Sequence, residues 1–289
     1  MYTPPFTISA EAINKIADIS RLIERYAIRM EQEDALLLRK ANKIKTIHSS
    51  LAIEGNTLDE DQVRDIVNGK TVVAPLRQIQ EVKNAIATYE QFARLDAFKE
   101  SDLLRAHGIM MQTLVDDAGL YRKGGVGVFS NSGCVHIAPP ADRVPYLMAD
   151  LFDWLSHSHD HLLVRSCVFH YEFEFIHPFA DGNGRMGRLW QSLILSKLHP
   201  VFEHLPVENM VSVSYTHLTL PTPARSSTLC YAKYRKFSKR TSVNPYERFL
   251  IKFLIKFLIN CSRRSPTYRV CHGACISCSQ PMAISPPYR

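Results

Sequence analysis

The sequence predicts a mainly helical fold with one β-hairpin, and three observations lead to this prediction. Apolar residues recur at helical spacing in several segments of the first 210 positions, for example at Val164, Val168 and Tyr171. Within that region, strand-like alternation is clear only between residues 126 and 137, around an Asn-Ser-Gly turn. A glycine-containing loop at residues 181–184 separates two of the helical patterns.

The first predicted elements are the helices of an N-terminal region, residues 1–100. One helical pattern runs up to Gly55-Asn56, which we expect to act as its C-cap. Asp59, Glu60 and Asp61 crowd the start of a second helix, where the helix dipole favours carboxylates. A third amphipathic run opens at residues 81–85 and extends to Leu95. We assign these segments to packing and scaffold.

The next region, residues 101–210, contains the hairpin and the two helices around the glycine-containing loop. Pro139-Pro140 ends the strand pattern. A helix is expected from about Leu162 to His177, and apolar spacing resumes at Leu189 for a second helix. His170 within the first of these helices is expected to be a core or surface histidine without a chemical role.

The loop and the start of the second helix combine features of an anion site. The turn Gly182-Asn183-Gly184 can aim consecutive backbone N–H groups into one concavity, and the helix N-terminus adds its dipole. Arg185 and Arg188 share a face of the first turn, where cations oppose the dipole. Because helix stability does not favour these arginines, a bound polyphosphate explains them better.

Two further residues of this run suit phosphate chemistry. Asp181 is an oxygen ligand of the kind that Mg²⁺ uses when it bridges phosphates. His177 can take up a proton near pH 7. The alternative is a surface turn with solvated arginines and a capping histidine. The convergence of these groups within twelve positions favours a phosphate site.

The run from His177 to Arg188 resembles the Fic family signature, His-x-Phe-x-Asp/Glu-Gly-Asn-Gly-Arg-x-x-Arg, and fills every defining position. The resemblance implies a Fic-type helical bundle with a β-hairpin flap over the active site. It also implies transfer of AMP from ATP to a hydroxyl side chain (Ser, Thr or Tyr) of a target protein, with release of pyrophosphate. The resemblance implies that His177 acts as the general base and that Asp181 is a ligand of Mg²⁺. It implies an anion hole formed by Gly182, Asn183 and Gly184, and it implies that Arg185 and Arg188 bind the outer phosphates.

In the family, a hairpin at this place lines up the target side chain by strand addition, through main-chain hydrogen bonds. The resemblance therefore implies a target-docking flap that contains Val126, Val128, Val135 and Ile137. The alternative is a hairpin that packs on the bundle without this role.

A second constellation lies at the end of the helix that precedes Gly55. Glu54 falls in the last helical turn, where the helix dipole repels a carboxylate. The segment from Ser50 to Gly55 resembles the family's inhibitory motif, Ser/Thr-x-x-x-Glu-Gly/Asn. This resemblance implies an N-terminal inhibitory helix whose Glu54 pairs bidentately with Arg188 and blocks the productive γ-phosphate position. The alternative is an exposed glutamate followed by a turn.

Charge divides the chain near residue 210. Residues 211–289 carry 13 lysines and arginines and one acid, whereas residues 1–210 carry 22 basic and 27 acidic residues. We predict that this basic tail, which also holds five of the seven cysteines, is non-native or disordered. If the tail replaces native helices, the adenine pocket would be incomplete.

The tail gives little reason to expect other partners. Nucleic acid is not favoured, because no helix-turn-helix spacing is legible and prolines interrupt the segment. The apolar repeat at residues 249–259 is too short to span a membrane. The spacing of Cys271, Cys275 and Cys278 is attributed to chance. The first ten residues have no secretory pattern, so a cytoplasmic protein is expected.

The predicted function is a protein adenylyltransferase that uses ATP and Mg²⁺, acts on an unknown target protein, and is autoinhibited by Glu54. One alternative is a nucleotide-binding regulatory protein with little catalysis. A de-AMPylase or a phosphotransferase of the same family is another. Homo-oligomer formation is left open.

Overall fold

The computed structural model describes residues 2–32, 35–130, 133–203 and 205, and most of them are helical. The predicted mainly helical class is confirmed. Eight α-helices are present in the described part of the chain: α1 (Ala10–Gln32), α2 (Ala35–Ile53), α3 (Glu60–Val67), α4 (Leu76–Glu90), α5 (Glu100–Met110), α6 (Val144–His157), α7 (Leu162–Ile176) and α8 (Asn183–Ser196). Short 3₁₀ turns lie at Phe92–Arg94, Ala141–Arg143 and Pro200–Glu203.

The centre of the fold is the packing of α7 against α8. The apolar residues of α7 are spread around its whole circumference, and nearly all of its residues are buried, as expected for a helix surrounded by others. Gly187 on α8 brings the two helices close together, since a Cβ there would lie 3.3 Å from the ring of Phe173. Trp190 of α8 is fully buried and donates its ring N–H to the carbonyl of Ala97 at 3.0 Å.

The helix α2 ends where the sequence predicts, in a Schellman arrangement. Gly55 has φ +89° and donates its N–H to the carbonyl of Ala52, while the N–H of Asn56 reaches the carbonyl of Leu51. α3 begins with a capping box between Asp59 and Gln62. α2 contacts α3, α4 and α8, and its last turn lies near the start of α8, where Ser50 and Glu54 contact Arg188.

The described strands are β1 (Gly127–Ser130) and β2 (Gly133–Ile137), which form an antiparallel pair. Their register pairs Val128 with His136 and Phe129 with Cys134, so Val135 is the extra residue of a bulge. The turn residues Asn131 and Ser132 lie outside the described residues.

The predicted tail, residues 211–289, lies outside the described residues, as do residues 206–210. The boundaries proposed for residues 1–100 and 101–210 stay predictions. None of the described helices is both long enough and apolar enough to cross a bilayer.

Candidate active site

His177 is the C-cap residue of α7. At this residue the chain turns from the helix into the glycine-containing loop. Its backbone is left-handed, with φ 50° and ψ 62°, and its N–H closes the helix on the carbonyl of Phe173 at 2.9 Å. The ring Nδ1 lies 3.4 Å from the carbonyl oxygen of Glu174. The His177 side chain is 22% exposed, so its ring borders solvent at the end of a buried helix.

Asn183 holds the loop between His177 and α8. Its side-chain Oδ1 accepts the N–H of Phe179 at 2.8 Å, and its Nδ2 donates to the carbonyl of the same residue at 2.9 Å. The side chain is buried and both of its polar groups are used in this way. The side-chain amide of Asn183 therefore shapes the loop.

His107 on α5 is a loop-holding residue that the sequence analysis did not single out. Its Nδ1 accepts the N–H of Gly119 at 2.8 Å, which requires the ring proton to be on Nε2, and Nε2 lies 3.0 Å from the carbonyl of Asp181. The ring stacks on Phe179 with 3.7 Å between centroids. Burial lowers the pKa of His107 to about 4, so the ring is neutral at pH 7.

Gly182 is the N-cap residue of α8 and has a conformation that suits glycine. Its φ is +85°, and a Cβ would lie 2.7 Å from the sulfur of Met111. The unpaired N–H groups of the first turn of α8 follow directly, together with the positive end of the helix dipole. The structure thus places the predicted anion turn at a helix N-terminus.

Asp181 lies beside this turn between two arginines. Its Oδ1 accepts the N–H of Gly182 at 2.6 Å and lies 3.0 Å from Nη2 of Arg185, while Oδ2 lies 3.6 Å from Nη2 of Arg77. The side chain is 42% exposed. No group of three or more His, Cys, Asp or Glu side chains in the described residues could hold a metal ion by itself. A single accessible carboxylate fits Mg²⁺ held jointly with nucleotide phosphates.

Arg185 is buried between two carboxylates. Besides Asp181, its Nη1 lies 4.0 Å from Oε1 of Glu81 on α4. Glu81 in turn accepts a 2.9 Å hydrogen bond from Nδ2 of Asn56. The turn that ends α2 is therefore linked through Asn56 and Glu81 to the first arginine of the motif.

Arg188 is fully buried and contacts the last turn of α2. Its Nη2 lies 2.7 Å from Oε1 of Glu54 and 2.9 Å from the carbonyl of Ser50, and its Nε donates to Oγ of Ser50 at 3.1 Å. The expected bidentate pair is not formed, because Glu54 contacts the guanidinium through Oε1 alone. Ser50 provides the other two acceptors.

The backbone around these contacts explains how they fit. The N–H of Glu54 bonds to the carbonyl of Leu51, in a tightened last turn, so the carbonyl of Ser50 is available to Arg188. A Cβ on Gly184 would collide with the Glu54 carboxylate and come 2.9 Å from Nη1 of Arg188. Glycine at this position is what allows Glu54 to reach the motif.

The predicted flap residues all lie in or beside the hairpin. Val126 directly precedes β1, and its carbonyl accepts the N–H of Ala138 at 3.2 Å to close the base of the hairpin. Val128 lies in β1, and Val135 and Ile137 lie in β2.

The structure brings the two predicted constellations together. Ser50 and Glu54 contact Arg188, and Glu54 also lies beside Gly184, although more than 130 positions separate Glu54 from Arg188. Gly55 follows Glu54 and ends α2, and no contact of Gly55 with the motif is observed in the described residues. Asp181 and Arg185 lie in contact with each other. Arg77, Glu81 and His107 complete the surroundings and were not predicted.

Comparisons with known proteins agree with this geometry. The sequence model of the Fic/DOC family matches residues 97–195. A solved structure of a Fic family protein from Desulfovibrio desulfuricans G20 is 46% identical, with a TM-score of 0.77, over 91% of this chain and 77% of that one. A Fic domain containing signaling protein from Bacteroides thetaiotaomicron, at 18% identity, shares the fold with a TM-score of 0.53 over 89% of this chain and 98% of that one.

Curated relatives are more distant. The protein adenylyltransferase Fic of Drosophila erecta is 25% identical over 241 residues, which are 78% of this chain and 44% of the relative. That of Drosophila virilis is 25% identical over 255 residues, 80% of this chain and 48% of the relative. The chain spans less than half the length of these curated relatives. On the 46% identity and the coverage of the Desulfovibrio structure, the chain belongs to the Fic/DOC family.

Proposed function

We propose that this protein transfers AMP from ATP to a hydroxyl side chain of a target protein, and that Glu54 holds the site inactive. The observation that carries the proposal is the joint placement of His177 and the α8 N-terminus, at the two ends of a loop fixed by Asn183 and His107. A proton acceptor and an anion site thus border the same short loop, as hydroxyl attack on a phosphate requires. The curated relatives named protein adenylyltransferase support the same reaction.

His177 would accept the proton of the target hydroxyl. The hydroxyl oxygen would then bond to the α-phosphorus of ATP while the bond from that phosphorus to the bridging oxygen breaks and pyrophosphate leaves. The backbone N–H groups of Asn183 and Gly184 and the α8 dipole would stabilise the charge on the phosphates, whereas the N–H of Gly182 is bonded to Asp181. The guanidinium groups of Arg185 and Arg188 would bind the departing β- and γ-phosphates.

Asp181 would hold Mg²⁺ together with the phosphates, and the ion would draw negative charge away from them when bound. Its Oδ1 is already used by Gly182 and Arg185, so Oδ2 is the oxygen suited to a metal. Arg77 lies 3.6 Å from Oδ2 on a side chain that is 61% exposed, and it can move aside without loss of buried contacts.

Inhibition by Glu54 follows from electrostatics at Arg188. A carboxylate 2.7 Å from a fully buried guanidinium neutralises the charge that the γ-phosphate needs. The Glu54 carboxylate also occupies the space beside Gly184, where the first backbone N–H groups of α8 would contact the nucleotide phosphates. ATP could bind productively only after Glu54 moves away.

The hairpin would serve as the docking flap for the target. Its base closes on Ala138 and Val126, and its strands carry Val128, Val135 and Ile137. A two-stranded hairpin has edges that can accept an extended peptide through main-chain hydrogen bonds. Such recognition would depend little on the side chains of the target.

A second candidate is a nucleotide-binding regulatory protein with little catalysis. This candidate is favoured by the two hydrogen bonds that Arg188 makes to Ser50, because neither of them involves Glu54. If these contacts persist, ATP could bind without adopting a reactive geometry.

The test uses the full chain, a cell extract as the source of target proteins, and ATP labelled at either the α- or the γ-phosphate. Glu54→Gly should label protein from α-labelled ATP only, and the added change His177→Ala should abolish the label. Glu90→Gly, at the exposed end of α4, is the matched control and should behave as wild type. Label from γ-labelled ATP would favour a phosphotransferase. Retained ATP binding without any label would favour the regulator.

A further inference from the structure

Arg122 is a buried arginine between α5 and the hairpin. It is 3% exposed, and its guanidinium donates only to backbone carbonyls. These bonds are Nε to His177 at 2.7 Å, Nη1 to Gly124 at 2.8 Å, Nη2 to Pro139 at 2.6 Å and Nη2 to Ile176 at 3.3 Å.

An ion pair does not explain why Arg122 is buried at this position. Its hydrogen-bond partners are backbone carbonyls and not carboxylates, and burial lowers the pKa of Arg122. Burying a cation without a counter-ion costs free energy. The guanidinium group provides a rigid, planar set of N–H donors that can hold several carbonyl groups in fixed directions.

The carbonyls come from three separate segments of the chain. Gly124 leads into β1, and Pro139 follows β2, so both legs of the hairpin are held. Ile176 and His177 form the end of α7. One guanidinium therefore joins the base of the hairpin to the residue proposed as the general base.

The contact also stabilises a strained backbone. His177 has φ 50°, a conformation that costs a residue other than glycine about 1 kcal/mol. Nε of Arg122 holds the His177 carbonyl, and the backbone N–H of Arg122 donates to the carbonyl of Pro178 at 3.0 Å. Arg122 thus forms hydrogen bonds to the carbonyls of two successive peptide groups, those of His177 and Pro178.

We propose that Arg122 is a positioning residue that sets the hairpin against His177, and so fixes where a docked hydroxyl lies relative to the base. The part about the hydroxyl rests on the proposed function, whereas the mechanical link does not. Arg122 would touch neither ATP nor the target.

The test compares Arg122→Lys with wild type in the full chain. Lysine keeps the charge and the reach but lacks the planar set of donors, so it cannot hold carbonyls of all three segments together. The matched control is Arg165→Lys, because Arg165 lies near the start of α7, at the end opposite His177, and donates to the carbonyl of Leu155 on α6. Amide hydrogen exchange followed by mass spectrometry gives the first readout.

For Arg122→Lys we expect exchange to rise about tenfold both in residues 123–139 and in residues 176–182, and to change less than about twofold in α2, α4 and α6. Arg165→Lys should leave both segments unchanged. A rise in only one of the two segments would overturn the proposal. So would no rise, or an equal rise in all helices, which would mark a general loss of stability.

The second readout uses Glu54→Gly as background and α-labelled ATP. Adding Arg122→Lys should lower the rate of protein labelling about tenfold at saturating ATP while the dissociation constant for ATP stays within about twofold. An unchanged rate would contradict the role in positioning. If Glu54→Gly with Arg122 intact gives no label, the proposed function fails, and the exchange result alone decides on Arg122.

Discussion

Oε1 of Glu54 lies 2.7 Å from Nη2 of Arg188, and this contact joins the end of α2 to the last arginine of the loop motif. Arg188 is fully buried, whereas the Glu54 side chain is 32% exposed. The carboxylate can therefore leave into solvent, while the guanidinium stays where a phosphate would meet it. The inhibited and the productive states would differ in which anion Arg188 binds.

Ser50→Ala should weaken the inhibited state without removing it. The change deletes the 3.1 Å hydrogen bond from Nε of Arg188, which contributes about 1 kcal/mol, and leaves the Ser50 carbonyl in place. We expect the affinity for an ATP analogue, measured by titration calorimetry, to rise about fivefold. Ser49→Ala is the control and should leave the affinity unchanged. An affinity equal to wild type in both variants would mean that the Ser50 hydroxyl does not restrain Arg188.

Asp181→Asn should remove the effect of Mg²⁺ on nucleotide binding. Asparagine retains an oxygen for Gly182 and Arg185 but loses the charge that attracts a divalent cation. In Glu54→Gly, we expect Mg²⁺ to strengthen ATP binding about tenfold, and this gain should vanish when Asp181→Asn is added. Calorimetry with and without EDTA measures both values.

The control for this change is Asp153→Asn, at an exposed carboxylate on α6. It should leave the Mg²⁺ effect intact. A full Mg²⁺ effect in Asp181→Asn would show that another group holds the ion.

His107 should make the protein less stable as the pH falls from about 6.5 to about 4. Burial lowers its pKa to about 4 in the folded chain, so in this window the unfolded chain binds a proton that the folded chain does not. The free energy of unfolding therefore decreases with decreasing pH, by up to about 3 kcal/mol from this residue. His170, with its pKa also lowered to about 4 by burial, adds a slope of the same sign.

His107→Gln should flatten this dependence. The variant is expected to be less stable than wild type at pH 7, because Gly119 loses its acceptor, and the difference should shrink toward pH 4.5. Urea unfolding at both pH values measures it. His157→Gln, at an exposed histidine of α6, should keep the wild-type slope. A constant difference between His107→Gln and wild type at both pH values would contradict the neutral state assigned to His107.

Gly187→Ala should destabilise the packing of α7 against α8. The new methyl group would lie 2.5 Å from Oε1 of Glu174 and 3.3 Å from Cδ1 of Phe173. Overpacking costs about 1–3 kcal/mol, more than the roughly 1 kcal/mol that alanine gains over glycine in a helix. Gly125→Ala, with nothing within 4 Å of the new Cβ, is the control. Equal urea midpoints for the two variants would show that α8 can shift to make room.

Much of the fold follows from local sequence signals. The spacing of apolar residues before His177 and after Gly184 correctly gives α7 and α8, because both helices are buried along their length. Gly55 correctly marks the end of α2, since its φ of +89° suits glycine. The predicted start of α4 is wrong. The helix begins at Leu76, directly after Pro75, and not at Glu81.

The candidate site was less predictable, because several of its contacts join distant segments. The motif gives Asp181, Arg185 and Arg188, but nothing local to His107 indicates that its ring supports the carbonyl of Asp181. The second and third acceptors on Arg188 come from Ser50, and their geometry depends on how the last turn of α2 tightens. Arg122 stands in a segment that precedes the hairpin, and only the fold reveals its link to His177.

The most direct measurement of the central claim compares protein labelling from α-labelled ATP and Mg²⁺ by wild type, Glu54→Gln and Glu54→Gly. Glutamine keeps an oxygen for Arg188 but loses the charge, so its contact is weaker than that of the carboxylate. We predict that labelling increases in that order, with at least about a tenfold rise from wild type to Glu54→Gly, and that adding His177→Ala abolishes it. Equal labelling by all three proteins, or labelling that persists without His177, would contradict the account.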